Sequence, residues 1–382
     1  MKSTVSIARV IVGLLFIFSG LVKANDPLGL SYKMQEFFEL WGMVKFNSWT
    51  LLMSVLMNAF EIIAGFALLL GWRIKLFSWL LLLLIVFFTF LTGYTYITGK
   101  PTNCGCFGDC LPITSKTSFL KDVVLTILIG FLFWKQKYIK PLFGEKAIRR
   151  IQWTTISMLG ITVLSFGFQW YTLSYLPVVD CLPYKVGKNI NEQMKIPPGA
   201  RPDSIVIVFV YEKDGKQFEF SPTELPADLA TYKFISRKDK LIRKGNAEAP
   251  IHGFVLSGET DEDSTHIVLS QPYSILIFCE DFSIPVSKWE KGFSRIYSEA
   301  KAKTIPAYMI TGRPSEALGK IKSTSFADIP IFKCDFTAIR TAARTNPCIY
   351  LLKEGTILGK WSWKKMNSIQ STVNKLTVTS NQ

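Results

Sequence analysis

Five long apolar runs dominate the first 176 residues of the chain. Each run is close to the roughly 20 apolar residues that a helix needs to cross a bilayer. No small-residue cleavage site follows the first run, so we interpret it as an uncleaved helix and not as a signal peptide. The pattern therefore predicts a helical membrane bundle. The runs cover residues 5–22, 51–72, 76–97, 117–134 and 151–176.

The basic residues beside these runs predict the orientation of the bundle. Arg73 and Lys75 are separated from the basic stretch at 135–150 by two helices, so both lie on one side of the membrane. The positive-inside rule places that side, and the amino terminus with it, in the cytoplasm. We therefore expect a multi-pass inner-membrane protein whose residues from 177 onward lie outside the cytoplasm, in the periplasm.

The net charge of +15 fits the same interpretation. Nucleic-acid binding would require a basic face with a reading motif, whereas here much of the clustered charge lies beside apolar runs. Membrane lipid is the partner that this placement favours, and we expect no nucleic-acid partner.

A short loop between the third and fourth runs contains the cysteines that most strongly indicate chemistry. Cys104, Cys106 and Cys110 fall within seven residues, interrupted by glycines that favour a tight turn. Cys181 emerges just after the fifth run, on the same predicted side of the membrane. We take the three loop cysteines as candidate catalytic redox thiols, and all four cysteines as disulfide candidates.

The spacing of these cysteines limits how they can pair. A bond between Cys104 and Cys106 would close a very small ring. We therefore predict one bond from that pair to Cys110 or Cys181, with the remaining member of the pair free to attack it. A purely structural disulfide is the alternative. A metal held by thiolates is disfavoured, because the usual Cys-x-x-Cys pairs are missing and an outside location is oxidising.

Glu61 lies near the middle of the second apolar run, where a carboxylate must be paired or protonated. Arg9 is the cation that we expect to pair with it. The pair could form a proton site or a quinone-headgroup site, or it could act as a structural clamp between helices. Quinone is the one cofactor that the sequence allows us to consider. The chain has only two histidines, which excludes a histidine-rich metal site and gives Ser-His-Asp catalysis little support.

Two helix motifs resemble a known family. GLLFIFSGLVK at 13–23 and EIIAGFALLLG at 61–71 are similar to the first two helices of DoxX-type membrane proteins. The Cys-Gly-Cys-Phe-Gly loop resembles the related MauE branch, which is associated with methylamine utilisation and with maturation of a disulfide-rich partner. The resemblance covers residues 1–135 and implies a four-helix membrane domain. A basic cytoplasmic loop and the fifth helix follow at 136–176, outside the resemblance.

Composition changes after residue 176, and residues 177–270 are predicted to be a β-rich segment. The run at 204–211 is typical of a buried strand, and the turn at 213–216 leads into a second strand. Further strands are predicted near 234–235, 254–256 and 266–269.

Residues 271–382 alternate predicted strands and helices, which indicates an α/β domain. Their order resembles a thioredoxin-like domain of the TlpA type, and Pro347 occupies the position of its cis-proline. Ser283 and Val286 fall where that family has its two catalytic cysteines. The resemblance therefore implies a degenerate site that cannot perform dithiol exchange.

Three functions remain open from the sequence. The first is a membrane thiol-redox or maturation component that acts on a partner in the cell envelope. The second is a non-catalytic membrane scaffold or binding protein with a structural disulfide. The third is a maturation role in methylamine utilisation, implied by the family resemblance alone. Whether the protein is an enzyme is left undecided.

Overall fold

A computed structural model describes residues 2–101, 108–111, 113–141, 147–202, 204–243, 245, 247–258 and 260–376. Five of its helices are long and apolar enough to cross a membrane. They are followed by β-containing structure, so the predicted order of a helical membrane bundle and then an α/β region is confirmed. The helices of the first part are α1 (Lys2–Asn25), α2 (Pro27–Leu40), α3 (Thr50–Leu70), α4 (Ile74–Thr98), α5 (Ser115–Trp134) and α6 (Ala147–Tyr175).

Glycines allow α1 and α3 to pack closely. A Cβ atom on Gly65 would lie 2.8 Å from the carbonyl oxygen of Gly13, and one on Gly20 would lie 3.0 Å from the backbone nitrogen of Ile62. Neither distance is tolerable, so both glycines are required for this approach. The contacts run in opposite chain directions, which makes α1 and α3 antiparallel neighbours.

The helix α2 begins with a strong local signal. The Asp26 side chain accepts a hydrogen bond from the Gly29 amide at 3.1 Å, and Pro27 occupies the first helical position. A hydrogen bond between the Ser31 and Thr50 hydroxyls (2.9 Å) and one from the Ser54 hydroxyl to the Pro27 carbonyl (2.7 Å) hold α2 against α3. The helix α2 therefore begins at Pro27, at the position that this local signal specifies.

The C-terminal domain, residues 184–376, contains two sheets. Its elements are α7 (Ile190–Gln193), β1 (Ser204–Lys213), β2 (Lys216–Phe220), β3 (Lys233–Arg243), α8 (Thr265–Leu269), β4 (Ser274–Cys279), α9 (Glu290–Ala302), β5 (Ala307–Thr311), α10 (Pro314–Ile321), β6 (Ile331–Lys333), α11 (Phe336–Ala342), β7 (Cys348–Lys353), β8 (Thr356–Ser362) and α12 (Met366–Asn374).

The larger sheet has the strand order β6-β5-β4-β7-β8. The β4–β5 and β5–β6 pairs are parallel, whereas β7 is antiparallel to both β4 and β8. Every residue of β4 is buried, as expected for a central strand covered on both faces. One face packs on α9, α10 and α12, and the other packs on α8, α11 and residues of the segments 184–194 and 251–256. Residues before and after position 270 therefore contribute to the same cluster on this second face.

The smaller sheet, β2-β1-β3, is antiparallel. Its β1–β2 turn lies at Asp214 and Gly215, both with positive φ, as the sequence predicted for this hairpin. Two other strand predictions are wrong. Residues 266–269 belong to the helix α8, and the chain around Phe254 and Leu256 is buried without forming a strand. Short apolar runs do not distinguish a strand from a buried helix or loop.

Candidate functional site

A disulfide joins Cys110 to Cys181. It connects the loop before α5 to the tether, which we define as residues 177–183 between α6 and the C-terminal domain. The predicted bond from Cys104 or Cys106 to one of these cysteines is therefore wrong, because the two proposed acceptors bond to each other. Cys104 and Cys106 themselves lie outside the described residues.

The pairing follows from where the tether runs. The Asn25 side chain, at the end of α1, donates to the Val179 carbonyl at 2.8 Å and accepts from the Val179 amide at 3.0 Å. This two-way contact folds the tether back onto α1. The short turn Gly108–Cys110 lies against the same helix end, beside Val22. Cys110 and Cys181 are consequently brought together at what we call the tether end of the bundle.

Glu61 is fully buried, as expected, but its cation is Lys23 and not Arg9. Arg9 and Lys23 are 14 residues apart on α1, which is about 20 Å along the helix axis. Because α1 and α3 are antiparallel, Glu61 lies level with the tether end of α1, and Arg9 lies level with the far end of α3. The paired ammonium group also lies 4.8 Å from the centroid of the Phe88 ring.

Arg9 forms its hydrogen bonds at the opposite end of the bundle. Its guanidinium donates to the carbonyls of Leu68, at 2.7 Å, and Leu69, both in the last turn of α3. It also donates to the Lys140 carbonyl at 2.7 Å. The last carbonyls of a helix lack the usual amide partner one turn further on, and here the Leu68 carbonyl accepts only a 3.3 Å bond from the Gly71 amide. Arg9 therefore acts as a side-chain cap for α3.

The degenerate site of the C-terminal domain is assembled without a thiol pair. Ser283 is exposed, and its hydroxyl donates to the Asp281 carboxylate at 2.6 Å. Val286 is buried at the start of the short helix Val286–Lys288. The peptide bond between Asn346 and Pro347 is cis, and the Asn346 amide donates to the Asp281 carbonyl at 2.9 Å. The structure thus brings the three predicted positions to one end of β4 and β7.

The three cysteines of the C-terminal domain are all buried. Burial raises the pKa of Cys348 to about 11 and that of Cys334 to about 12. The pKa of Cys279 is raised more than those of the other two thiols, first by burial and second by the neighbouring Asp281 carboxylate. Thiols with such pKa values are protonated near neutral pH and are poor nucleophiles.

The C-terminal domain contacts α2 through an ionic network beside the degenerate site. The Glu280 carboxylate accepts from Arg340 at 2.7 Å and from the Tyr32 hydroxyl at 3.2 Å. Burial, and then the Glu280 charge, raise the pKa of Tyr32 above its usual value. Arg344, which is 4% exposed, bonds to Asp26 at 2.7 Å. The carboxylate that caps α2 therefore also anchors the C-terminal domain.

A second set of contacts fixes the tether side of this domain. Lys360 pairs with Asp180 at 3.0 Å, and the Ser362 hydroxyl donates to the Ser174 carbonyl at 2.7 Å. These residues, and also Asp26, Tyr32 and Arg344, were not predicted from the sequence. The Asp26-Pro27 pair was a readable helix-start signal. The long-range partners have no local signature.

Comparison with known proteins adds two findings about parts of the chain. Residues 1–135 match the family model described as methylamine utilisation protein MauE. Those residues contain α1 to α5 and the cysteine loop, so the MauE part of the expected resemblance is supported over the stretch predicted for it. The DoxX part stays a prediction. Residues 205–244, which include the smaller sheet, match a domain of unknown function (DUF8463).

A curated relative supports the thioredoxin-like resemblance in part. The chain is 38% identical over 55 residues to Protein TlpB of Flavobacterium psychrophilum. The match spans 14% of this chain and 15% of that protein, so it is a short partial similarity.

Proposed function

We propose that the protein is a thiol-redox component of the inner membrane that exchanges electrons with a protein in the cell envelope. The observation that carries this proposal is the contrast between its thiols. The Cys110–Cys181 bond lies at the end of the membrane bundle, with Cys104 and Cys106 a few residues away in sequence. The three cysteines of the C-terminal domain are buried.

The proposed step is a thiol–disulfide exchange. A thiolate of the partner attacks one sulfur of the Cys110–Cys181 bond and releases the other as a thiolate, which takes up a proton. The second partner thiol then attacks the mixed disulfide. The partner leaves with a new disulfide, and Cys110 and Cys181 are left as thiols. Two electrons have moved into this protein, and each bond broken is balanced by one formed.

The C-terminal domain has a supporting part in this proposal. We assign it as thioredoxin-like from its strand and helix order, its cis-proline and the TlpB similarity. Ser283 and Val286 give it no dithiol, and the adjacent Glu280 contacts α2. The domain therefore holds the tether, and with it Cys181, against the bundle. We place it outside the cytoplasm, with the amino terminus inside, from the basic loops.

A kinetic experiment tests the exchange. The full-length protein in lipid nanodiscs would be mixed with reduced thioredoxin as a probe dithiol, and maleimide tagging would follow the Cys110–Cys181 bond with time. We expect reduction without denaturant. Cys181→Ser should stop this exchange, whereas Cys334→Ala, the matched substitution of a buried thiol, should leave it unchanged. A bond that resists reduction until the protein is denatured would contradict the proposal.

A Cys110–Cys181 bond that resists reduction in the native protein would favour the second candidate, a scaffold with a structural disulfide. One observation supports that candidate: the C-terminal domain is already fixed by the Asp26–Arg344 ion pair at the start of α2 and by the Asp180–Lys360 ion pair in the tether. A maturation role in methylamine utilisation is the third candidate, and the family match over residues 1–135 is its support.

A further inference from the structure

An apolar cavity lies between α1, α2, α3 and α4, next to the tether end. Its volume is about 90 Å³, and it is open on one side. Aromatic and methionine side chains form most of its wall, including Phe38, Trp41, Met34 and Met57. Methionine side chains adapt readily to the shape of a ligand. The wall therefore suits a flat ring with an apolar tail better than a rigid polar molecule.

Polar groups converge on the deep side of this cavity. Ser19, Lys23 and Lys121 line it, and Ser19 and Lys121 also line a smaller adjoining cavity of about 30 Å³ that reaches Glu61. One carboxylate oxygen of Glu61 bonds to Lys23. The other, Oε2, is buried and has no hydrogen-bond partner among the described residues. A buried carboxylate oxygen without a partner is costly, which indicates a place where a ligand, water or proton is received.

The cavity is adjacent to the disulfide along α1. Ser19 and Lys23 face the cavity, while Val22 and Asn25 border the space around Cys110 and Cys181. Positions three and four apart are neighbours on a helix surface. The two sites therefore occupy adjoining strips of the same helix end, within about one helical turn of each other.

We propose that this cavity binds a membrane quinone that reoxidises the thiols of the tether end, a proposal that rests on the exchange function above. The quinone ring would lie among the aromatic and methionine side chains, and its carbonyl oxygens would accept hydrogen bonds from the lysines. The two thiols lose two protons and two electrons and form the disulfide. The quinone gains both and becomes the hydroquinone, so the step is balanced. Glu61 relays protons at the deep end.

An anionic phospholipid headgroup is the competing occupant of a cavity with three lysines. Lys33 and Lys121 are each paired with a carboxylate, and Lys23 is 3% exposed and bonded to Glu61. Their charges are therefore largely compensated, so a neutral ligand with hydrogen-bond acceptors fits better than a phosphate. The aromatic wall and the closeness of the disulfide favour a redox-active ring.

Binding can be measured apart from thiol chemistry. Decylubiquinone would be titrated into the full-length protein in nanodiscs, using the Cys110→Ser/Cys181→Ser variant, which cannot exchange thiols. Quenching of Trp41, obtained by difference from Trp41→Phe, reports occupancy. We expect saturable quenching. Met57→Trp and Met34→Trp, on different helices, should each weaken binding by at least about tenfold by filling the cavity. Leu56→Trp, whose side chain is exposed and outside the cavity, should change binding by less than about twofold.

Each remaining outcome separates the two proposals. Absence of saturable binding, or binding that both filling variants leave unchanged, overturns the quinone site. Phosphatidylglycerol retained by the protein but lost from both variants, without quinone binding, assigns the cavity to a lipid and also overturns the quinone site.

In the cysteine-containing protein, reduced thiols should convert bound quinone to hydroquinone. Binding without this conversion overturns the electron transfer and leaves the exchange with thioredoxin intact. Conversion without that exchange contradicts the proposed function alone.

Discussion

The cysteines of the tether end of the bundle and those of the C-terminal domain differ in bonding and in surroundings. At the tether end, two cysteines from distant segments form a disulfide, and an adjacent buried carboxylate has one oxygen without a partner among the described residues. In the C-terminal domain, three cysteines lie within the hydrophobic core around the sheet. A domain with the expected architecture of a redox protein thus has buried thiols, whereas the disulfide on which our proposal rests lies at the tether end of the bundle.

The largest expected effect concerns the buried ion pair at the tether end. Lys23→Met leaves the Glu61 carboxylate buried without its cation, which should cost about 3–5 kcal/mol of unfolding free energy. Adding Glu61→Gln to this variant removes the uncompensated charge and should recover much of the lost unfolding free energy. Unfolding of the purified protein in mixed micelles measures both variants.

The matched control for this prediction is Lys33→Met, which breaks a pair that is 20% and 42% exposed. A partly exposed pair contributes roughly 0–1 kcal/mol. Equal losses for Lys23→Met and Lys33→Met would show that burial of the Glu61 pair carries no special weight.

A smaller effect is expected where the two regions meet. Arg344→Ala leaves Asp26 without its long-range partner, and a hydrogen bond to a charged group contributes about 1.5–3 kcal/mol. We expect faster amide hydrogen exchange in α2 and α11. Arg313→Ala, which breaks an exposed pair with Glu316 inside the C-terminal domain, is the control. Unchanged exchange in Arg344→Ala would mean that the contact does not hold the domain on the bundle.

The buried thiols give a pH-dependent prediction. Burial raises the pKa of Cys348 to about 11. The native thiol is therefore still neutral at the pH at which an unfolded cysteine, with a pKa near 9.0, begins to ionise. The contribution of this thiol to the unfolding free energy is complete below about pH 9 and is lost as the pH rises through 11.

Native iodoacetamide labelling of Cys348 and Cys334 should be absent at pH 8. Rapid labelling at that pH would contradict their burial.

The smallest effect is expected at the degenerate site. Ser283 is exposed and its hydroxyl bonds to Asp281. Ser283→Ala should therefore change thiol exchange by less than about twofold, as surface substitutions usually do. A loss comparable to that of Cys181→Ser would return the chemistry to the C-terminal domain.

The helices and the central strands were predictable because they depend on local patterns. The apolar runs have the length of a membrane span, and the largely apolar β4 is typical of a covered central strand. The start of α10 at Pro314 follows a local helix signal. The helix α8 was assigned to the wrong class because its run of apolar residues is too short to show a period.

The candidate site was only partly predictable because its contacts join distant segments. The burial of Glu61 could be predicted from its place in an apolar run, but its partner depends on how α1 and α3 align. The alignment was readable in principle, since consecutive spans are antiparallel and Lys23 is the cation at the tether end of α1. The Cys110–Cys181 pairing depends on the return of the tether to Asn25, and no local pattern encodes it.

Differential thiol labelling of the full-length protein in native membranes tests the central claim most directly. Cys110 and Cys181 should be unlabelled without reductant and labelled after mild, non-denaturing reduction. Cys279, Cys334 and Cys348 should stay unlabelled under both conditions and react once the protein is denatured. The account would be contradicted if mild reduction exposed the thiols of the C-terminal domain, or if it left the Cys110–Cys181 bond intact.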